Sequence, residues 1–205
     1  MELKGCSCHY LLLKRQCYAT GYTIILVFFL ITSWYGLAAT TVLDQIAFTF
    51  NQICMRMNTQ EHIELMDIAF EEAKKSFLEG GVPVGSVLAL KKTIISTGHN
   101  RRVQNGDPLA HGEMDCFRNA GRRSTYSNLS LYTTLSPCMM CAGTIVQFGI
   151  GSVIIGDDIN YQGNIDFLKA HGVQITILND PKCISLMRDF ISSNPSLWNE
   201  DIGKT

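Results

Sequence analysis

SLYTTLSPCMMC, residues 130–141, joins a strand pattern directly to a helix start that carries two cysteines. The β-branched and aromatic residues of its first half favour a β-strand, and Pro137 suits the first turn of a helix. Cys138 and Cys141 stand three positions apart, so both thiols lie on one face of that turn, where free backbone N–H groups favour thiolates. Alone, such a pair is equally typical of buried thiols, redox pairs and halves of structural zinc sites.

The triplet His111-Gly112-Glu113, 27 residues before Cys138, adds a third metal ligand. A structural zinc normally takes four protein ligands, whereas a catalytic zinc takes three and keeps one position open for water. No second CxxC pair completes a four-cysteine site in this chain. Glu113 stands too close to the ligand His111 to join the same metal easily, so we expect it to move protons there. The pattern predicts a catalytic zinc, held by His111, Cys138 and Cys141, with Glu113 as the acid/base.

Charge and composition argue against a nucleic-acid partner. The chain has 205 residues, of which 46% are hydrophobic, enough for one domain with a sizeable core plus an extension. From Met57 onward, 13 Lys and Arg residues stand against 16 Asp and Glu residues. The basic pairs Arg101-Arg102 and Arg122-Arg123 are typical of solvated loops. We therefore expect a small-molecule substrate and no nucleic acid.

The first 56 residues form an extension of different composition. No charged side chain occurs between Arg15 and Asp44, and the segment Tyr22–Ala39 is long enough to span a membrane or to serve as a signal sequence. Lys14 and Arg15 on its amino side would keep the amino terminus in the cytosol. The rest of the chain would then lie across the membrane, where the Asn128-Leu129-Ser130 sequon is open to glycosylation.

A later start of the working protein is the competing hypothesis. Met55 and Met57 each stand just before the globular pattern begins. We favour the hypothesis that residues 1–56 are dispensable and that residues 57–205 are the catalytic domain of a cytoplasmic or nuclear protein. A membrane-anchored or secretory protein is expected only if residues 1–56 are retained.

Helix and strand patterns alternate from Glu61 onward, which predicts an α/β/α layered domain. A first helix, ending at Gly80-Gly81, carries an apolar stripe predicted to face the core. The stripe comprises Ile63, Met66, Phe70, Ala73 and Phe77. A hairpin is predicted around Lys91-Lys92, and the stretch from Asn100 to Pro108 is predicted to be a polar loop. Both metal motifs are predicted to open helices at one edge of the sheet.

Six stretches resemble the zinc-dependent cytidine deaminase superfamily, and within it the yeast-type cytosine deaminases. They are MDIAFEEA (66–73), GGVPVG (80–85), GHNRR (98–102), LAHGE (109–113), LYTTLSPCMMCAG (131–143) and WNEDIG (198–203). The resemblance covers about Met57 to Gly203. It implies a three-layer α/β/α cytidine deaminase-like fold, with a central mixed sheet and the zinc site at helix N-termini.

The resemblance also implies an activity and an assembly. The expected reaction is the hydrolytic deamination of cytosine to uracil and ammonia in pyrimidine salvage, with 5-methylcytosine and 5-fluorocytosine as further substrates. The expected assembly is a homodimer with one Zn²⁺ per subunit.

Substrate contacts follow from the same resemblance. Asn100 is expected to hydrogen-bond the O2 and N1 edge of the pyrimidine, which suits an amide that both donates and accepts. Gly112 is expected to donate its backbone N–H to O2, with no side chain to block the approach. Asp201 is expected to accept from the amine at C4. Trp198, in a C-terminal lid, and Tyr161 are expected to pack over the base.

Two positions depart from the family pattern, since Tyr161 and Asn199 both stand where the family has phenylalanine. We expect the Tyr161 hydroxyl to need a partner or water, and Asn199 to weaken the apolar lid. Product release and the tolerance for substituents at C5 are the properties these changes affect.

Three zinc deaminases and one non-enzyme stay open as alternatives. A tRNA adenosine deaminase would need a basic face, whereas a guanine or nucleoside deaminase shares the zinc chemistry. A short C-terminal helix bearing Trp198 and Asp201 points to a closed pocket without room for ribose. A zinc-bound but inactive domain for dimerisation or partner binding is disfavoured by Glu113, because a structural site needs no spare carboxylate.

Overall fold

The computed structural model describes residues 60–204, so the extension with its segment Tyr22–Ala39 lies outside the described residues. Seven helices and five strands are named here in chain order within that range. They are α1 (60–78), β1 (Gly85–Leu90), β2 (Thr93–His99), α2 (Arg102–Asn105), α3 (Gly112–Ala120), β3 (Ser130–Thr133), α4 (Met139–Gln147), β4 (Ser152–Ile155), α5 (Ile165–Ala170), β5 (Gln174–Ile177), α6 (Pro181–Ser193) and α7 (Pro195–Asp201). Within residues 60–204, no helix has both the length and the apolar character needed to cross a bilayer.

The five strands form one sheet in the order β2-β1-β3-β4-β5. Strand β1 runs antiparallel to both of its neighbours, while β3, β4 and β5 run parallel. The predicted hairpin turns at Lys91, which has a φ of 55°. The parallel strands are joined by helices, as crossover connections require. The predicted central mixed sheet is confirmed.

Helices cover both faces of the sheet. Because neighbouring residues of a strand point to opposite faces, each strand contributes side chains to both layers. On one face Leu88 and Leu131 pack with residues of α3, α4 and α5. On the other face Val87 and Tyr132 pack with residues of α1 and α6, such as Met66. The three-layer α/β/α fold predicted from the sequence is therefore confirmed.

The core-facing stripe of α1 differs from the predicted one. Met66 and Ala73 are buried as expected, but Ile63 and Phe77 are exposed. The buried face turns instead through Leu65, Met66 and Ala69, which pack on the sheet. The spacing predicted a helix correctly, but it could not show which of two overlapping stripes meets the sheet.

The polar loop predicted from Asn100 to Pro108 contains the short helix α2. Asn100 Oδ1 accepts a hydrogen bond from the backbone N–H of Arg102 at 3.0 Å, which starts the turn. Gly106, with a φ of 62°, ends it in the left-handed conformation that glycine adopts without strain. This helix turns Arg102 inward, where its side chain is buried.

Candidate active site

His111 and Cys138 occupy the same local position, the N-cap of a metal-bearing helix. The backbone of His111 (φ −68°, ψ 161°) precedes α3, and that of Cys138 (φ −69°, ψ 175°) precedes α4. Neither side chain caps its own helix. Both side chains are therefore free to bind a metal at a point where two helix N-termini meet.

Three donor atoms converge there. Cys138 Sγ lies 3.5 Å from His111 Nδ1, and the ligand atoms of His111, Cys138 and Cys141 all lie within 4.8 Å of one another. Ligands at about 2.0–2.3 Å from a tetrahedral zinc are themselves roughly 3.5 Å apart, so this spacing fits zinc. Within residues 60–204, no fourth histidine, cysteine or carboxylate belongs to the cluster. The donor set thus fits a zinc site with one position open.

The two cysteines differ in the pKa of their thiols. Hydrogen bonds from the Cys141 thiol and from His111 lower the pKa of Cys138 to about 4, although burial opposes ionisation. The Cys141 thiol donates to Cys138 and is deeply buried, so its own pKa is raised well above the ordinary value. One thiolate and one thiol therefore share a proton, which metal binding displaces.

Glu113 lies in the first turn of α3 and is buried beside these ligands. Burial raises its pKa to about 7, and the negative charge of Cys138 adds to this effect. The same carboxyl lines the pocket described below. It is therefore placed between the metal ligands and any molecule bound there.

Asp201 Oδ1 lies 3.8 Å from His111 Nε2, the ring nitrogen that does not face Cys138. Burial disfavours a charged His111, but the hydrogen bond with Cys138 and the charges of Asp201 and Glu113 outweigh it and raise the pKa of His111 to about 9. Carboxylates commonly orient the second nitrogen of a metal-bound histidine. Asp201 thus faces both the metal site and the pocket.

Hydrogen bonds fix both the side-chain amide and the backbone of Asn100. Its Nδ2 donates to Asp201 Oδ1 at 3.3 Å, and its Oδ1 accepts from the Arg102 backbone. Its carbonyl oxygen accepts from Ser76 Oγ at 2.6 Å, and its N–H donates to the Val84 carbonyl at 2.8 Å. The side chain is therefore pre-oriented before any ligand binds.

One pocket unites most of the predicted site. It encloses about 300 Å³, including its open mouth. Of the predicted residues, it is lined by His111, Glu113, Cys138, Asn100, Tyr161, Trp198 and Asp201. Cys141 lies behind it in the metal cluster and is fully buried. The pocket therefore joins the metal cluster to the residues predicted to contact the base.

Gly112 is the predicted residue whose surroundings differ from expectation. It does not line the pocket, and a Cβ there would come within 2.7 Å of the Val84 carbonyl oxygen. The glycine is therefore required by the close approach of that backbone. Its proposed hydrogen bond through the backbone N–H stays a prediction.

The two aromatic residues form adjoining walls. The rings of Tyr161 and Trp198 meet edge to face, with centroids 5.7 Å apart. Asn199, by contrast, is exposed and does not line the pocket, so the expectation that it weakens the apolar lid is wrong. Trp198 and Asn199 are consecutive residues of α7, and the helix turns Trp198 toward the pocket and Asn199 toward solvent. The exposed position explains why a polar residue fits there.

Four further pocket residues had no chemical signal in the sequence. They are Val84, Leu135, Ser136 and Ile202. Ser136 precedes the Pro137-Cys138 pair, and Val84 lies in the stretch GGVPVG, so position within the motifs was the only indication. Their contribution is the shape of the pocket rather than its chemistry.

Sequence comparison identifies relatives of this chain. Residues 59–157 match the family model described as the cytidine and deoxycytidylate deaminase zinc-binding region. Cytosine deaminase of Candida albicans is 44% identical over 142 residues, covering 68% of this chain and 95% of that protein.

Solved structures share the fold. A structure from a study of tRNA:A34 deaminases superposes with a TM-score of 0.54 at 25% identity, covering 60% of this chain and 99% of that one. A structure of guanine deaminase from Nitrosomonas europaea gives a TM-score of 0.54 at 23% identity, over 62% of this chain and 83% of that one. The latter similarity, at this low identity, concerns the fold alone.

Proposed function

Because this chain belongs to the cytidine and deoxycytidylate deaminase family, we propose that it hydrolyses cytosine to uracil and ammonia in pyrimidine salvage. The observation that carries the proposal is the pairing of Asn100 and Asp201 beside His111 in one small pocket. An amide and a carboxylate side by side match the polar edge of a free pyrimidine base.

Zinc is the cofactor, one ion per subunit, held by His111, Cys138 and Cys141. When bound, it acts as a Lewis acid that lowers the pKa of a water molecule toward neutrality. Glu113 is the acid/base of the reaction. It takes a proton from the attacking water, whose oxygen bonds to C4, and passes that proton to N3 of the ring. It then moves a second proton to the amino nitrogen, which leaves as ammonia, so that cytosine and water become uracil and ammonia.

The base is oriented by the residues around it. Asn100 and the backbone N–H of Gly112 bind the O2 edge, and Asp201 accepts from the amine at C4. Trp198 and Tyr161 cover the ring. 5-Methylcytosine and 5-fluorocytosine are proposed as further substrates.

The other deaminase activities and a purely structural role are less well supported than cytosine deamination. A tRNA substrate calls for a basic surface, while residues 57–205 carry more acidic than basic side chains. A nucleoside needs space for ribose, which the packing of α7 restricts. A purely structural zinc site would not account for the buried Glu113 next to its ligands.

A homodimer is part of the proposal. Met139 and Phe148, at the two ends of α4, are large apolar side chains that remain exposed. Helix α4 also carries Cys141, so burying its outer surface in a second copy would stiffen the metal site. Sedimentation equilibrium of the wild type and of Met139→Glu tests this: a wild-type monomer at micromolar concentration would contradict it.

The working enzyme is proposed to be cytoplasmic or nuclear, because a salvage enzyme for free bases has little use outside the cell. Asn128 offers a test, since it is exposed and accessible to glycosylation. The wild type and Asn128→Gln, expressed in the native host, are expected to show the same gel mobility before and after glycosidase treatment. A glycan on Asn128 would contradict this location.

Ammonia release from cytosine, cytidine, guanine and adenine by the zinc-loaded full chain tests the function. We expect release from cytosine alone among these four. Release from cytidine or guanine would retain the zinc chemistry and refute the assignment of the pocket. No release at all with one zinc bound would favour a non-catalytic binding domain.

A further inference from the structure

Arg102 connects the C-terminal helix α7 to the loop that carries Asn100. Its guanidinium Nη2 lies 2.9 Å from Glu200 Oε1, and its Nε lies 3.3 Å from Asp201 Oδ1. The Arg102 side chain is only 9% exposed. We propose that Arg102 is a positioning residue that latches α7 closed over the pocket and orients Asp201 within it.

Among the described residues, Arg102 is the one side chain that forms ion pairs with two residues of α7. The backbone hydrogen bonds that continue from α7 are local, such as those of Trp198 to Asn194 and Lys204 to Asn199. Asn100 adds one side-chain bond to Asp201 at 3.3 Å. His111 Nε2 approaches Asp201 Oδ1 to 3.8 Å, and Trp198, which is 7% exposed, packs with Leu197 and Ile202 in an apolar cluster. The arginine therefore supplies the main charged link between this helix and the rest of the site.

The adjoining wall of the pocket, which carries Tyr161, is anchored in a different way. Backbone bonds join Ser136 N to Asp157 O and Asn164 N to Pro137 O, each at 3.0 Å. A Cβ at Gly163 would come within 2.6 Å of the Pro137 carbonyl, so this loop lies directly on the start of the metal-binding segment. The Tyr161 wall is thus fixed to the metal site, and α7 is the wall that opens for exchange.

The forked shape of a guanidinium explains why an arginine is needed. One planar group reaches Glu200 and Asp201 together, whereas a lysine ammonium is a single point charge. Glu200 is 68% exposed and belongs to the rim, while Asp201 is 7% exposed and faces the base. Closing α7 and aligning Asp201 are therefore a single event. This consequence for substrate exchange rests on the function proposed above.

Trp198 reports the position of α7 without any need for turnover. The chain has two tryptophans, Trp34 and Trp198, so a full-length Trp34→Phe variant emits from Trp198 alone. In that zinc-loaded background, acrylamide quenching is measured for Arg102→Gln, Arg102→Lys and Glu200→Gln. Arg188→Gln is the matched control, because Arg188 is an exposed arginine on α6.

We expect Arg102→Gln to raise the quenching constant at least about twofold and the cytosine KM about tenfold, with a smaller loss in kcat. Arg102→Lys and Glu200→Gln are expected to be intermediate, and Arg188→Gln unchanged. Glu200→Gln keeps the test decisive if Arg102→Gln folds poorly, because Glu200 lies at the surface.

Quenching that stays at the level of the Arg188→Gln control in Arg102→Gln and Glu200→Gln would overturn the latch. A rise in quenching with an unchanged KM would overturn the link between the latch and substrate binding. A wild type inactive on cytosine would refute the proposed function separately, since the quenching result does not depend on it.

Discussion

The side-chain amide of Asn100 donates to Asp201 Oδ1 across 3.3 Å, although the two residues are 101 positions apart in the chain. This contact brings the end of β2 and the end of α7 together at the metal site. The two groups that we propose to bind the base, Asn100 at O2 and N1 and Asp201 at the C4 amine, are therefore aligned by each other. Changes to Asn100, which does not contact the metal ligands, should act on substrate binding and not on the metal.

An additional negative charge at this contact is expected to impair substrate use. Asn100→Asp would place a second carboxylate beside Asp201 and remove the amide donors. We predict a fall in kcat/KM for cytosine of about 100-fold or more, with one zinc still bound. Asn119→Asp is the control, because that amide donates to Thr97 O on the surface. Loss of zinc in Asn100→Asp would show that the residue supports the metal site instead.

Replacement of the buried carboxyl of Glu113 is predicted to abolish turnover without releasing the metal. Glu113→Ala and Glu113→Gln should lower kcat by roughly 10²–10⁴-fold, the range of general acid/base catalysis. Ammonia release and zinc content, measured on the same samples, check this. Near-normal activity in either variant would refute the assignment of the acid/base.

Loss of one ligand is predicted to empty the metal site. Cys141→Ser should lose zinc and activity together, whereas Cys116→Ser should keep both, because Cys116 is buried against Ser96 away from the cluster. Treating the wild type with a chelator should reproduce the loss, and adding zinc back should reverse it. A Cys141→Ser variant with one tightly bound zinc would contradict the ligand set.

Tyr161 and Asn199 are predicted to differ in their effects, because only Tyr161 lines the pocket. Tyr161→Phe removes a hydroxyl from the pocket wall, so we expect use of 5-methylcytosine, which is larger and more apolar, to rise severalfold relative to cytosine. Asn199→Phe should leave that ratio unchanged. The ratio of kcat/KM for the two substrates is the measurement, and an equal response of both variants would be inconsistent with the geometry.

The buried Glu72 of α1, with its contacts to Lys75 and to His99 and Thr97 of β2, is predicted to make stability depend on pH. Burial works against the charge of Glu72, but hydrogen bonds from Lys75, His99 and Thr97 outweigh it and hold the pKa of Glu72 below its ordinary value of 4.5. A carboxyl with a lowered folded pKa stabilises the fold above the unfolded value, and this contribution is lost as the pH falls through the folded pKa.

Glu72→Gln is therefore expected to cost about 1–3 kcal/mol of unfolding free energy at pH 7 and less below pH 4.5. Denaturant unfolding at several pH values measures this. Glu71→Gln, which removes an exposed pair with Lys74, should have little effect. A constant cost for Glu72→Gln across the acid range would argue against the linkage.

Local features of the fold and the metal site were predictable because their signals are local. Pro137, Cys138 and Cys141 specify a helix start with two ligands on one face. The triplet at His111 repeats the arrangement, and the structure places both first ligands at N-caps. The strand patterns predicted the sheet for the same reason, since alternation along a strand decides which side chains face each layer.

Orientation within a layer was not predictable in this way. The stripe assigned to α1 misplaced Ile63 and Phe77, because a helix with apolar residues on two adjoining faces can pack on either. The side of α7 that carries Asn199 was likewise decided by where α7 lands on its neighbours. Such choices depend on packing between elements that are distant in the chain.

The sequence by itself indicated the chemistry that we propose: three candidate zinc ligands, the carboxyl of Glu113 and the helix starts that carry them, since each of these is a local pattern. Only the tertiary structure decided how the pocket closes. It brings Asp201 to Asn100 and His111, turns Trp198 inward and joins Arg102 to Glu200. These contacts span about 90 to 100 positions and arise from the packing of α7 against the rest of the domain, which no local pattern encodes.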